Sequence, residues 1–316
     1  MKDKILTFLG GVVLVAIAMV GIAYLGSYST QKESARSNQK ISNENNTLQK
    51  VSENTYTFKT GLDLQDFPQK LIETGTIDLE KYQNLVGNLS VEKGEIVITP
   101  DNNQTFLNLF WGLGLAQENQ YLVELKALKE RGQLENLASV GGWIVAKGSA
   151  SDHFSKHNIL NLTLDQQKKV AEIAATIYRP CCGNSARFAD CNHGMAMLGV
   201  LSLGVAQGLS DDELYNLALK FNSVWFPDQY NQLADYFLLI EKKKLSEVDP
   251  RVALSAKFSS AQGFAQNVAR PLATLNLSSN NSNASGCSLQ APVLQPSSGC
   301  SLGAPAQRKS ASGCSL

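Results

Sequence analysis

The chain has 316 residues, with 28 basic and 28 acidic side chains, six cysteines, three histidines and 43% apolar content. A net charge of zero without a basic surplus leaves no electrostatic footprint for nucleic acid. The apolar content is enough for a folded core, but it is spread unevenly along the chain.

Residues 5–25 (ILTFLGGVVLVAIAMVGIAYL) carry no charged side chain. A run of about 20 apolar residues is the length that crosses a bilayer as a helix. Lys2 and Lys4 precede it, so the positive-inside tendency keeps the N-terminus cytoplasmic and everything after residue 28 outside. A cleaved signal peptide is the rival reading, but its apolar stretch is shorter and ends in a small-x-small site, which this run lacks. The expectation is a single-pass anchor over residues 1–26. Residues 27–57 are mostly Ser, Asn, Gln, Lys and Glu; they bury too little apolar surface to fold alone and read as a polar linker.

From residue 58 to 244 the pattern is that of one helical bundle with minor β structure. Periodicity predicts helices over 64–73 and 79–86, and GEIVIT at 94–99 reads as a strand. A helix over 105–117 carries Phe106, Leu109, Phe110 and Leu113 at helical spacing; Gly112 and Gly114 inside it read as ordinary helix residues. Thr163 caps a helix to residue 178, Ser210 caps 211–225, and Asp228 opens another to 239. Between them, Asp190 is expected to cap a helix to residue 207 that is apolar nearly all round, the mark of a buried element. Its Gly194, Gly199 and Gly204 would let neighbouring helices approach closely. It is too short for a second membrane span.

A last helix is expected over 252–269 within a segment 245–270, followed by a disordered tail over 271–316. No charged residue occurs from 271 to 307, and SGCSL occurs three times, placing Cys287, Cys300 and Cys314 on the arm. Chance does not readily give three identical pentapeptides. Exposed thiols there suit capture of a soft metal, disulfide exchange, crosslinking or covalent modification. A prenylation box is excluded, because Cys314 is third and not fourth from the end.

The other three cysteines lie in RPCCGNSARFADCNHG at 179–194. Pro180 should stop the preceding helix and leave Cys181 and Cys182 in a loop, while Cys191 falls at a helix start whose dipole favours a thiolate. Adjacent cysteines do not readily bond to each other, since their Cα atoms are only about 3.8 Å apart. Outside the cytoplasm a plain disulfide between Cys191 and one of the pair is the simplest reading. A reduced trio instead makes a soft-metal pocket for zinc or copper. His193 is a candidate fourth ligand, but two residues from Cys191 in a regular helix it would face nearly the opposite side. His153 and His157, four apart, share a face if 152–158 is helical, although no zincin motif surrounds them. Every histidine and every cysteine of the bundle thus falls between residues 153 and 193.

Cys-x-x-Cys, Cys-x-x-Cys-His, Walker A, Gly-x-Ser-x-Gly and Gly-x-Gly-x-x-Gly motifs do not occur. The RPCC and DCNHGMA runs, with Trp225-Phe-Pro, resemble a set of membrane-anchored bacterial proteins with no known activity, over residues 58–237. The resemblance implies a shared domain in a bacterial cell membrane and assigns no role to any residue. Three functions stay open. The first is soft-metal handling by Cys181, Cys182, Cys191 and His193, fed by the tail thiols through tail-to-domain or chain-to-chain contacts. The second is thiol-disulfide chemistry with Cys191 activated and Cys181 or Cys182 resolving. The third is a disulfide-stabilised interaction module with a crosslinking tail.

Overall fold

The computed structural model describes residues 57–89 and 93–280, with only the backbone described for 276–280. The expected anchor, nearly all of the polar linker and the three SGCSL segments with Cys287, Cys300 and Cys314 lie outside these residues. What is described is mainly helical with one two-stranded sheet. Strand β1 (Phe58–Asp63) pairs antiparallel with β2 (Glu95–Ile98), Phe58 opposite Ile98 and Lys59 opposite Val97. The register slips beyond Lys59, where Gly61 takes a positive φ of 74° and the Thr60 hydroxyl donates to the Ile96 carbonyl instead. β2 matches the sequence expectation. β1 was hidden because its six residues abut the polar linker.

Helices α1 (Phe67–Glu73) and α2 (Leu79–Leu85) lie between the strands in sequence, and α3 (Asn103–Ala116) follows β2. Short pieces come next: α4 (Val123–Glu130), α5 (Ala138–Gly141) and α6 (Ala150–His153). Three longer helices complete the bundle: α7 (Leu164–Ala174), α8 (Asn192–Ala206) and α9 (Asp211–Trp225). Thr163 and Ser210 cap these helices as expected, and Gln166 and Glu213 close each cap into a capping box. α10 (Pro227–Leu239) begins one residue before the expected Asp228, with Pro227 supplying its first-turn geometry.

The core is built on α3 against α8, which is buried along nearly its whole length. A Cβ on Gly199 would stand 2.1 Å from the Phe110 carbonyl oxygen, and one on Gly114 would stand 1.9 Å from that of Met195. The backbones therefore touch through two glycines. Gly199 has the expected packing role, and Gly114, read from the sequence as an ordinary helix residue, shares it. Around this contact Phe67, Phe110 and Phe221 stack edge and face, while Trp111 meets Trp143. No helix among the described residues is long and apolar enough to cross a membrane.

Two helix ends depart from expectation for the same reason. α7 stops at Ala174, not residue 178, because its last carbonyls are taken by a returning loop: Arg187 N donates to Ala174 O and Ala186 N to Ile177 O. Pro180 lies beyond this end and does not cause it. The helix expected over 252–269 is broken into α11 (Pro250–Ala253), α12 (Ala256–Ser259) and α13 (Ala261–Phe264), then a π-turn, Ala265–Ala269. The Leu254 carbonyl accepts from Tyr178 N and the Ala261 amide donates to Cys182 O, so neither group is left for a continuous helix. α14 (Arg270–Asn280) then carries the chain helically past residue 271, where the tail was expected to begin.

Candidate metal centre

The residues 175–191 leave α7, fold back on its end and lead into α8. At the middle of this loop sits Arg179, whose side chain is 1% exposed. Its guanidinium has three partners: Nη1 donates to the Asn184 carbonyl (2.7 Å), Nη2 to the Asp190 carboxylate, and Nε to Cys191 Sγ (3.2 Å). Asn184 Nδ2 holds the other Asp190 oxygen at 2.7 Å. Gly194 makes the room: a Cβ there would lie 2.5 Å from Arg179 Nη2. Its expected role in helix-to-helix approach is thus replaced by a slot for the guanidinium.

Asp190 does not cap α8, because its carboxylate is already committed to Arg179 and Asn184. Cys191 takes the N-cap with extended backbone (φ −124°, ψ 165°), and its Sγ accepts from Gly194 N at 3.4 Å. That single-residue shift changes the ligand geometry. An extended Cys191 is not bound by helical spacing, so its sulfur and a His193 ring nitrogen turn to the same place. Cys181 Sγ, Cys191 Sγ and that nitrogen lie within 4.8 Å of one another, and so do Cys182 Sγ, an Asp190 oxygen and Cys191 Sγ. Cys181 Sγ is 3.4 Å from both Cys182 Sγ and Cys191 Sγ. Sulfurs on one tetrahedral zinc stand about 3.8 Å apart, given Zn–S bonds near 2.3 Å. All three cysteines are free thiols. A metal ion can be held here.

The loop is fastened from several directions. Cys182 O accepts from Ala261 N (2.9 Å), Asp190 O from Ser139 N (3.2 Å), and Ala189 O from the Ser139 hydroxyl. Ser139 O in turn accepts from Trp111 Nε1 (2.7 Å), and Arg187 pairs with Glu124. His193 packs its ring on Phe226, with centroids 4.6 Å apart, and on Trp225 at 5.8 Å. Its Nδ1 is buried and has no hydrogen-bond partner. Arg179 and Asp190 complete the candidate site: the sequence reading missed Arg179 and took Asp190 only for a cap. The one available signal was their place inside the cysteine run.

The surroundings of the cluster favour negative charge on one sulfur. Hydrogen bonds from the Cys181 and Cys182 thiols, then the Arg179 guanidinium, hold Cys191 well below the usual thiol range against its burial. Cys181 is pushed far above that range by its hydrogen bonds to Cys182 and Cys191 and by burial. Cys182 is lowered by its bond to Cys181 but ends well above the usual value, driven up by Cys191 and by burial. The surroundings therefore favour the anion at Cys191 over the other two sulfurs, beside a buried guanidinium. Filling the site with an ion must displace the remaining thiol protons.

His153 and His157 come together, but not on one helix face. α6 ends at His153, Ser155 turns the chain with a φ of 51°, and His157 forms a bridge to Gln117. His153 Nε2 donates to the Lys147 carbonyl (2.8 Å), so its Nδ1 accepts from His157 Nε2 (3.0 Å). Neither ring belongs to any group of three ligating atoms among the described residues. The pair is a structural clasp apart from the cysteines. Burial first, then the charges of His153, Lys156 and Lys129, lowers the His157 pKa. A base lowered on folding binds fewer protons folded than unfolded, so its stabilisation is present above the ordinary histidine value, near 6.5, and is lost as pH falls below it. Thermal unfolding from pH 7.5 to 5.5 should show falling stability, and His157→Gln should flatten that slope.

No family model, curated protein or solved structure matches this chain.

What the cluster can do therefore follows from its donors. Three sulfurs and an imidazole are a soft, borderline-nitrogen set suited to d10 ions, and three-sulfur, one-nitrogen coordination is a common closed zinc environment. For exchange with an outside disulfide, the sulfur whose surroundings favour the anion, Cys191, is only 6% exposed, and the exposed sulfur, Cys181, is held toward the thiol. Such exchange needs a thiolate the partner can reach.

Proposed function

We propose that this chain binds and handles a thiophilic d10 ion, zinc(II) or copper(I), through Cys181, Cys182, Cys191 and His193. The observation that carries the reading is the convergence of three free thiols and a half-buried imidazole at the start of α8, made possible by Cys191 standing at the N-cap. Arg179 supports it by setting a fixed positive charge against the anionic thiolates that such an ion gathers. In this reading residues 5–25 anchor the chain, the centre faces the outside of a bacterial cell membrane, and Cys287, Cys300 and Cys314 gather ions for it.

The test is direct. The full-length chain, purified reduced and without oxygen, with C287S, C300S and C314S to silence the tail, should carry or take up about one zinc or copper(I) per chain. Metal content by mass spectrometry should fall to trace in C191S, and each ion bound should release protons to a pH indicator. No metal above trace, with no uptake of either ion, would sink the proposal.

A further inference from the structure

The donors of this site are not equivalent, and their differences point to how an ion enters. Cys191 lies at the bottom, buried, held by Arg179 Nε and the Gly194 amide. Cys182 is half-buried and fixed at both ends of its peptide unit, its amide donating to Arg179 O and its carbonyl accepting from Ala261 N. Cys181 alone is exposed. Its sulfur is also the common neighbour, 3.4 Å from each of the other two. Two three-donor sets meet at Cys191, one completed by Cys181 and His193 and the other by Cys182 and Asp190. Cys181 is thus the sulfur of the site most open to an ion arriving from outside.

We propose that Cys181 is the exchange ligand, through which the site takes its ion from a thiolate complex and not from the free aqueous ion. This rests on the metal-binding reading above and adds the class of donor. For copper(I) held by two donor thiolates the step balances as follows. The Cys181 thiol gives its proton to solvent and its sulfur bonds to copper, making a three-sulfur intermediate. One donor sulfur–copper bond then breaks, and the departing thiolate takes a proton from solvent. Cys191 then bonds to copper as a thiolate and displaces the second donor thiolate, which takes a proton from solvent as it leaves. Copper stays copper(I) throughout, and no oxidant or reductant is needed. The 3.4 Å spacing lets the new bond to Cys191 form before the one to Cys181 is lost.

The experiment uses the full-length chain with C287S, C300S and C314S. Copper(I) is presented in three forms: bound by glutathione, bound by a Cys-x-x-Cys peptide, and bound by the thiol-free chelator bicinchoninate. Transfer is followed by stopped-flow quenching of tryptophan fluorescence, since Trp225 lies against His193. C181S should slow transfer from the thiolate donors by about tenfold or more while C182S slows it less. Slowing confined to glutathione or to the peptide supports the proposal and names the source as small molecule or protein. Release from the loaded, unaltered site to excess glutathione should rise in proportion to thiol concentration. Equal rates for C181S and the parent chain, a larger effect of C182S, or release independent of thiol concentration would each overturn it. A parent chain that takes copper(I) from none of the three forms would instead refute the binding reading.

Discussion

Arg179→Met should lower the stability of the fold by about 3 kcal/mol and weaken metal binding by about 10- to 100-fold. The side chain is 1% exposed and its guanidinium is divided among a carbonyl, a carboxylate and a sulfur. Methionine of similar length fills the slot over Gly194 but leaves Asp190 and the Cys191 thiolate without their cation. Asp190 keeps some access to water, which holds the loss at the lower end of the range for a broken buried pair. Two further variants separate charge from shape. Arg179→Lys restores the charge without the planar fork, so it should recover part of the stability and less of the metal affinity. Adding Asp190→Asn to Arg179→Met removes the stranded carboxylate, so the double variant should be less unstable than the sum of the singles. Urea midpoints and competitive metal titrations read both effects.

Gly199→Ala and Gly114→Ala should each destabilise the protein by about 3 kcal/mol, although alanine is the better helix former by about 1 kcal/mol. The added methyl has nowhere to go, because the atom it meets is a backbone carbonyl of the facing helix and not a movable side chain. α3 and α8 must separate, loosening the packing around Phe110, Met195 and Leu198 together. The two changes open one interface, so the double variant should lose less than the sum. Gly183→Ala is the control: it lies in the cysteine loop with nothing within 4 Å of its would-be Cβ and should change stability by less than about 0.5 kcal/mol.

What could be read in advance was whatever is decided locally. Thr163 with Gln166 and Ser210 with Glu213 are capping boxes written within four residues, and both form. The all-round apolar character of α8 announced its burial, and the five-residue recurrence of glycine announced its close approach to α3 at Gly199 and to α9 at Gly204. Whatever depends on a distant partner was misread. Asp190 looks like a cap until Arg179 claims it, and the argument setting His193 opposite Cys191 failed with that cap. The unbroken helix over 252–269 failed because Leu254 and Ala261 give their backbone groups to Tyr178 and Cys182. His153 and His157 do meet, but through a turn at Ser155 and not through helical spacing. For Asp190 and for the 252–269 helix, a hydrogen bond to a group outside the local segment outweighed a preference of a few tenths of a kcal/mol to about 1 kcal/mol in the local sequence.

The fastening of the cysteine loop bears on the life of the chain before it is finished. Ser139, Leu254 and Ala261 hold that loop from both sides in sequence, the last of them about 80 residues after Cys182. While the chain is being made, Cys181, Cys182 and Cys191 emerge well before their latest clamp exists. For that interval they are three neighbouring thiols on an unfinished polypeptide, open to oxidation and to any stray ion. Contacts this far apart in sequence also close slowly. The loop's full set of clamps therefore exists only once Ala261 has been made, and its three thiols are exposed until then.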